Sequence, residues 1–292
     1  MSETYESPTN LDNKLKLGLV LNTGFTIFEF SVGIISGSLA LTSDAGHNLT
    51  DSLSLLIALF ANKIAKREAN VEHSYGYGRA TILAAFINGL ILVLLAGYIF
   101  YEAIKRFENP EPVDGGIVMV VAFVGILVNG GVALIFRKNN NDLNIRSAYT
   151  NMFFDMLASI GALLAGLLII LTRLTFFDSF ISILIGVLLL RSSWAVIRDA
   201  MHVLLEGIPE GLDIKKVEET ILKFPKIKNV DDLHVWAISS HFAALSCHVV
   251  MEDCNLEESI KIIKRIKEEL KIKFNIEHAT IEIELIKCEP NG

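Results

Sequence analysis

Charge and cysteine are both scarce in this chain of 292 residues. Only 20% of its residues are Asp, Glu, Lys or Arg, whereas a soluble domain usually contains about 25%. The three cysteines, Cys247, Cys254 and Cys288, are odd in number and far apart, which excludes a secreted domain held together by disulfides. The net charge of −7 lacks the basic excess of nucleic-acid-binding proteins, so no nucleic-acid partner is expected.

Apolar residues are abundant instead, at 52% of the chain with a mean hydropathy of +0.47. This composition excludes a disordered chain, which would be poor in apolar residues. Several apolar runs reach the roughly 20 residues that a membrane-spanning helix needs. Six such runs lie near residues 17–38, 41–63, 80–102, 115–137, 147–172 and 176–198. We therefore expect an α-helical membrane protein with six transmembrane helices in the lipid bilayer.

Positive charges are divided unequally between the two sides of a membrane that six spans would define. The poorer side carries Lys105, Arg106 and Arg173. The richer side carries Lys14, Lys16, Lys63, Lys66, Arg67, Arg79, Arg137, Lys138, Arg146 and Arg198. Because cytoplasmic loops are enriched in Lys and Arg, the richer side is predicted to be cytoplasmic. We expect a multi-pass protein of the cell membrane with both termini in the cytoplasm.

The last third of the chain has the mixed composition of a soluble domain. Helical spacing of apolar residues predicts helices at 212–224 and 256–270, and alternation predicts strands at 230–238, 243–251 and 279–286. This order is typical of a small two-layer α/β domain. The expected organisation is an N-terminal tail (1–13), a six-helix transmembrane transport domain (14–203) and a cytoplasmic α/β domain (204–292).

Ionisable side chains inside the apolar runs indicate a functional site, because each costs about 2.5–3.5 kcal/mol at the centre of the membrane. His47 and Asp51 are four residues apart and project from one helix face, which Asp44 borders. Asn151 and Asp155 repeat the spacing in the fifth run. If the two helices face each other, His47, Asp51, Asn151 and Asp155 surround one point with nitrogen and oxygen donors suited to a divalent cation.

Packing is the competing explanation for polar residues in a spanning helix, where they often hydrogen bond to a neighbouring helix. We assign Asn22, Asn88 and Asn129 to this class. For Glu29 the choice between packing and a relay for protons or ions stays open. Two pairs that each end in Asp are harder to explain by packing, so a metal site is predicted there.

Several motifs together resemble one family. In order along the chain they are SDAGH (43–47), TD (50–51), YGYGR (75–79), NIRSAY (144–149) and DLHVW (232–236). This set, which spans about residues 14–286, resembles the cation diffusion facilitators, most closely the branch that exports cobalt, zinc and cadmium. The resemblance implies a homodimeric six-span exporter with a ferredoxin- or metallochaperone-like cytoplasmic domain. It also implies a divalent metal as substrate, exchanged for protons, with no organic cofactor and no enzymatic activity.

The resemblance assigns the metal transport site to His47, Asp51, Asn151 and Asp155. Zinc is the first expectation for the metal, with cobalt, cadmium, manganese and iron as alternatives. Zinc-exporting members usually have His at the position of Asn151, and the exchange of a ring nitrogen for an amide oxygen should weaken the binding of manganese or ferrous iron less than that of zinc. Three explanations stay open: altered selectivity, weaker zinc affinity, or an engineered substitution that disables the site.

The resemblance matches other functional residues of the family in part. A possible second metal site after the second run retains Glu72 and His73, for which a solvated loop is the favoured interpretation. The possible regulatory metal site of the cytoplasmic domain corresponds to Asp231, His248, Glu284 and Cys288, although a lone His within a strand is the alternative for His248.

Further positions complete the comparison with the family. Arg79 and Glu206 correspond to a possible charge interlock between membrane part and tail, with two ordinary charges near the membrane as the alternative. His234 and Trp236 are predicted to pack within a strand and not to bind metal.

The expected mechanism is competition between metal and protons for His47, Asp51 and Asp155. The alternative function is a non-transporting membrane metal sensor or heteromeric partner subunit of the same family, which Asn151 keeps open. An intramembrane enzyme is disfavoured, because the apolar runs lack a nucleophile with a base or a pair of catalytic Asp residues.

Overall fold

A computed structural model describes the backbone of residues 8–137, 143–239, 242–252 and 255–285, and their side chains except those of 8–19, 136–137, 143–148 and 285. Six long helices come first. They are α1 (Pro8–Ser36), α2 (Leu39–Ala65), α3 (Ala80–Glu108), α4 (Gly115–Arg137), α5 (Leu143–Thr172) and α6 (Phe176–Leu204). Helix α1 begins with a proline, which is favoured at the first helical position. Residues 8–13 of the predicted N-terminal tail are therefore helical, and residues 1–7 lie outside the described range.

Four of these helices contain segments that are long and apolar enough to cross a membrane. Within the described residues the segments are Ala80–Glu108, Gly115–Ile135, Tyr149–Thr172 and Phe176–Leu204, and α1 contributes a shorter apolar segment, Val20–Ser36. Helix α2 has 27 residues, but its acids, its histidine and Lys63 lower its hydropathy. The chain is thus a multi-pass helical membrane protein.

The chain divides into two compact units, Met1–Leu56 with Asn88–Ala195 and Ile57–Ile87 with Val196–Gly292. In the first unit, Phe25 of α1, Leu41 of α2 and Val121 of α4 belong to one buried apolar cluster. Helices α4 and α5 approach closely at Gly115 and Gly166, where a Cβ on either glycine would lie 2.8 Å from the other's carbonyl oxygen. Such close approach at small residues is typical of membrane helices.

The start of α2 is held by a buried acid from the start of α6. Asp178 is fully buried and accepts hydrogen bonds from the Ser38 hydroxyl (2.5 Å) and the Leu39 amide (2.6 Å). The guanidinium of Arg106, at the end of α3, lies 3.8 Å from the same carboxylate. A carboxylate at a helix N-terminus satisfies unpaired amides and interacts favourably with the helix dipole. Asp178 therefore fastens α2, α3 and α6 together.

Arg106 extends this cluster with further charge pairs. It contacts Glu102 at 3.2 Å and Glu111 at 3.1 Å, and it donates a hydrogen bond to the Gly37 carbonyl. Gly37 has a φ of +71°, and a Cβ there would lie 2.5 Å from the Pro112 carbonyl oxygen, so the turn between α1 and α2 requires glycine. The cluster thus joins both sides of that turn to the end of α3.

The second unit contains the small α/β domain. Its elements are α7 (Ile214–Leu222), β1 (Ile227–Ser239), β2 (Phe242–Met251), α8 (Leu256–Phe274) and β3 (Ile276–Leu285). Strand β2 is central, antiparallel to β1 and parallel to β3, and α8 forms the crossover that a parallel pair needs. Val217, Leu245 and Ile266 belong to its buried core. The order helix–strand–strand–helix–strand is the one that the sequence predicted.

Replacing Asp178 with Ala tests whether this acid holds α2 in place. The substitution leaves buried N–H and O–H groups at the start of α2 without an acceptor, which costs about 1–3 kcal/mol for a buried donor. We expect a lower Tm for the Asp178→Ala protein in detergent, measured by thermal unfolding. Asp199→Ala is the control, because Asp199 is exposed and pairs with its neighbour Arg198. Equal Tm values for the two variants would contradict the anchoring role.

Candidate metal transport site

His47 and Asp51 lie one turn apart on α2, with their side chains facing each other. The His47 Nδ1 atom is 3.8 Å from the Asp51 Oδ1 atom. Within the described residues, His47 Nδ1 is buried and accepts or donates no hydrogen bond. An unpaired ring nitrogen beside a carboxylate oxygen supplies two donor atoms of the kinds that zinc and related metals bind.

The residues on α5 are placed differently from each other. Asp155 is 6% exposed and lies within electrostatic range of Asp51 and Asp44. Asn151 lies one turn earlier on α5 and is exposed. In the described part of the chain, no three His, Cys, Asp or Glu side chains are close enough together to hold one metal ion. Ligation by both helices would therefore require side-chain rotation or a small helix movement.

Two further acids lie near this site that the sequence did not place in it. Glu29 of α1 and Asp44 of α2 are buried, and Glu29 lies within electrostatic range of Asp44 and Asp155. Among the described residues, neither oxygen of Glu29 has a hydrogen-bond partner, and the Asp44 Oδ2 atom has none either. Two features of the sequence could have indicated these acids: Glu29 is isolated in an apolar run, and Asp44 borders the helix face that carries His47.

Glu72 and His73 form part of a tight turn after α2. The Asn70 side-chain oxygen accepts the amide N–H groups of Glu72 (3.0 Å) and His73 (2.7 Å), and the His73 ring stacks on Tyr77 with centroids 4.4 Å apart. Both residues are exposed and border a cavity of about 950 Å³ that Trp236 also lines. These contacts are those of a hydrogen-bonded loop.

Arg79 and Glu206 are in contact within the second unit. The Arg79 Nη2 atom lies 3.5 Å from the Glu206 Oε1 atom, and the side chains are 40% and 66% exposed. Glu206 follows α6 with a φ of +62°, the left-handed conformation that often ends a helix. An ion pair this exposed contributes little stability, about 0–1 kcal/mol.

The α/β domain contains a cluster of His and acidic side chains on β1, β2 and β3. His248 Nδ1 is 2.8 Å from Glu284 Oε1, while its Nε2 is 3.8 Å from Glu282 and 4.0 Å from Asp232. His234 Nε2 in turn lies 2.8 Å from Asp232. One imidazole is thus paired with carboxylates from the neighbouring strands, although within the described residues no three of these side chains are close enough together to hold one metal ion.

This cluster differs from the set of ligands expected from the sequence. The two carboxylate oxygens of Asp231 accept hydrogen bonds from the Asn229 side-chain amide, at 2.8 and 2.9 Å. Cys288 lies outside the described residues. The pairing of β1 with β2 is irregular between Asp231 and His234, and Asp232 has a φ of +51°. Such a bulge redirects side chains, which explains why Asp232 approaches His248. The prediction that His234 packs within its strand is wrong, because the residue is exposed.

Proton binding by His248 is controlled by this cluster. The hydrogen bond with Glu284 raises the pKa of His248, and the charges of Glu282, Glu284 and Asp232 act in the same direction, whereas partial desolvation opposes them. Because the pKa is higher in the folded state, the His248–Glu284 pair stabilises the domain fully below the unfolded pKa of about 6.5. That contribution is lost as the pH rises through the raised pKa.

Glu284→Gln should move the pKa of His248 back towards its ordinary value, because the neutral amide cannot stabilise the imidazolium ion as a carboxylate does. The pKa is measured by NMR titration of histidine-labelled protein. Glu277→Gln removes the same charge from an exposed position on β3 and serves as the control. An identical His248 titration in wild type and Glu284→Gln would contradict the assigned pairing.

The helices and the intramembrane acids define the chain as a multi-pass membrane protein with polar groups for a cation. Comparison with known sequences specifies the family. The description "cation efflux transmembrane domain" matches residues 15–205, and "cation efflux protein, cytoplasmic domain" matches residues 209–286. The chain belongs to the cation efflux family, whose members are transporters and not enzymes.

Curated relatives resemble this chain over most of its length. A cadmium, cobalt and zinc/H(+)-K(+) antiporter of Bacillus subtilis is 43% identical, covering 94% of this chain and 92% of its own. The metal cation efflux system protein CzcD of Cupriavidus metallidurans is 38% identical, with 98% and 90% covered. The zinc transporter ZitB of Escherichia coli is 37% identical, with 96% and 89% covered.

One solved structure covers part of the chain. The metal-bound C-terminal domain of the CzcD transporter of Cupriavidus metallidurans is 39% identical and covers 25% of this chain and 100% of its own, with a TM-score of 0.23.

Proposed function

We propose that this protein exports divalent metal cations across the cell membrane in exchange for protons. The observation that supports this function best is the His47–Asp51 pair on α2, whose unpaired ring nitrogen and carboxylate lie in electrostatic range of Asp155 on α5. The chain's membership of the cation efflux family and the names of its relatives, two of which specify zinc, support the same function.

The mechanism follows from the chemistry of these side chains. Asp51 and Asp155 supply two negative charges, which offset the charge of one divalent cation, and His47 supplies a nitrogen donor. Metal and protons compete for the same lone pairs, so metal enters as protons leave and is released when protons return. A proton gradient directed into the cell then drives metal outward, provided that the site opens to one side at a time.

Zinc is the proposed substrate, with cobalt, cadmium, manganese and iron as alternatives. His47 is the one nitrogen donor among the four proposed ligands, because Asn151 offers an amide oxygen. A ligand set with one nitrogen and three oxygen residues binds zinc less strongly than one with two imidazoles. We therefore propose that zinc is carried with weaker affinity and with less discrimination against harder ions.

The proposed architecture has six spans, a homodimeric assembly and both termini in the cytoplasm. Helices α1 and α2, with 29 and 27 residues, are long enough to span, although α2 carries the polar ligands. An even number of spans places both termini on one side, and the distribution of Lys and Arg makes this side the cytoplasm. The transport domain then covers residues 14–203, and the α/β domain that would carry the dimer contact covers 204–292.

Zinc uptake into proteoliposomes with an imposed pH gradient tests this function. We expect gradient-driven uptake by the wild type and uptake reduced to background in Asp51→Ala, because the α2 pair loses its carboxylate. Asn151→His should increase zinc uptake relative to manganese, since a second imidazole favours zinc. Asp199→Ala is a matched control that removes an exposed carboxylate from a long helix.

Two results would contradict the proposal. Uptake by Asp51→Ala equal to that of the wild type would exclude the assigned site. No flux in the wild type and in Asn151→His, in protein that still binds metal, would favour a non-transporting sensor or partner subunit.

A further inference from the structure

Two buried acids of the first unit have opposite surroundings. Asp178 accepts hydrogen bonds from Ser38 and Leu39 and lies beside the Arg106 guanidinium. Glu29 is equally inaccessible, yet among the described residues neither of its oxygens has a hydrogen-bond partner. Burying a carboxylate without a partner is strongly unfavourable, so an acid kept in this state points to a ligand that it binds.

A second acid without full hydrogen bonding lies near Glu29, on α2. Helices α1 and α2 touch where a Cβ on Gly33 would lie 2.9 Å from the Thr42 side chain. Glu29 lies one turn before Gly33 on α1, and Asp44 lies two residues after Thr42 on α2. Asp44 is 2% exposed, its Oδ2 atom has no partner in the described structure, and it lies within electrostatic range of Glu29.

The charged groups around Glu29 all have its own sign. Those that act on it from the described residues are Asp44 on α2 and Asp155 on α5. If Asp51 and Asp155 balance the divalent metal, Glu29 and Asp44 leave an uncompensated negative charge in the membrane. A small cation of single charge bound by carboxylate oxygens would compensate part of it.

We propose that Glu29 and Asp44 form a second site, beside the transport site, where a further inward-moving monovalent cation, either a proton or a potassium ion, binds in addition to the protons exchanged at His47, Asp51 and Asp155. The inference rests on the proposed function and adds to it the place where a further counter-ion binds. Asp155 lies in electrostatic range of both acids and of Asp51. A cation at the Glu29–Asp44 site and a metal at the transport site therefore repel each other, and they compete for the negative charge of the Asp155 carboxylate. This competition makes occupation of one site disfavour occupation of the other, as exchange requires.

Zinc flux through the full-length protein in proteoliposomes tests the site. Flux is measured with a zinc gradient alone, then with an opposing proton gradient, then with an opposing potassium gradient. The variants are Glu29→Gln and Asp44→Asn, with Glu29→Asp as the variant that keeps the carboxylate. Asp114→Asn is the control, because Asp114 is exposed and an amide oxygen can still accept the Gly116 and Ile117 amides. Zinc binding is measured on each protein by calorimetry.

We expect Glu29→Gln and Asp44→Asn to bind zinc and to carry it down its own gradient, but to respond less to an opposing gradient than the wild type does. A weaker response to the proton gradient alone identifies the proton as the ion at the second site, and a weaker response to the potassium gradient alone identifies potassium. Glu29→Asp and the control should keep the response. Unchanged stimulation in both neutral variants, or loss of zinc binding in both, would overturn the separate site. The first result would leave the proposed function intact, whereas absence of zinc flux in the wild type would overturn both.

Discussion

The cost of placing a carboxylate inside a membrane is the constraint on which the transport domain depends. A charged side chain in a low-dielectric interior is tolerated only where a partner compensates its charge. Asp178 has such partners in the protein itself, since Ser38, Leu39 and Arg106 surround its oxygens. Glu29, Asp44 and Asp155 have fewer, and they lie within electrostatic range of one another. The same constraint therefore separates an acid that holds helices together from the acids that we propose to bind the transported ions.

Helix α2 carries both kinds of contact. Its N-terminus is fastened by Asp178, while His47 and Asp51 project from its middle. A helix that is fixed at one end presents its ligands at a reproducible depth, which precise metal coordination requires. Its polar content, which lowers its hydropathy below that of α3 to α6, is what the proposed metal site requires.

Much of this arrangement follows from the sequence, and the remainder depends on tertiary contacts. Apolar runs predicted all six long helices, because the length of apolar chain that buries its backbone in lipid is set by physics. The same runs missed the polar ends, since α1 begins earlier, at Pro8, and α3 ends later, at Glu108. The roles of Asp178 and Asp232 could not be predicted in this way. For Asp178, the sequence shows only an acid at the start of a helix, and its role becomes clear only when the partner helix is known. For Asp232, the bulge that turns the side chain towards His248 depends on how β1 pairs with β2.

Asn151 is best understood through the charges around it. A second imidazole at this position would add a titratable nitrogen, and its proton would contribute to exchange. With an amide there, the proposed metal site has fewer groups that can release protons, so more of the coupling falls to other acids. Glu29 and Asp44 are the acids in position to supply it, because both lie in the field of Asp155. Weaker ligation of the metal and a separate site for the counter-ion are then two consequences of one ligand set.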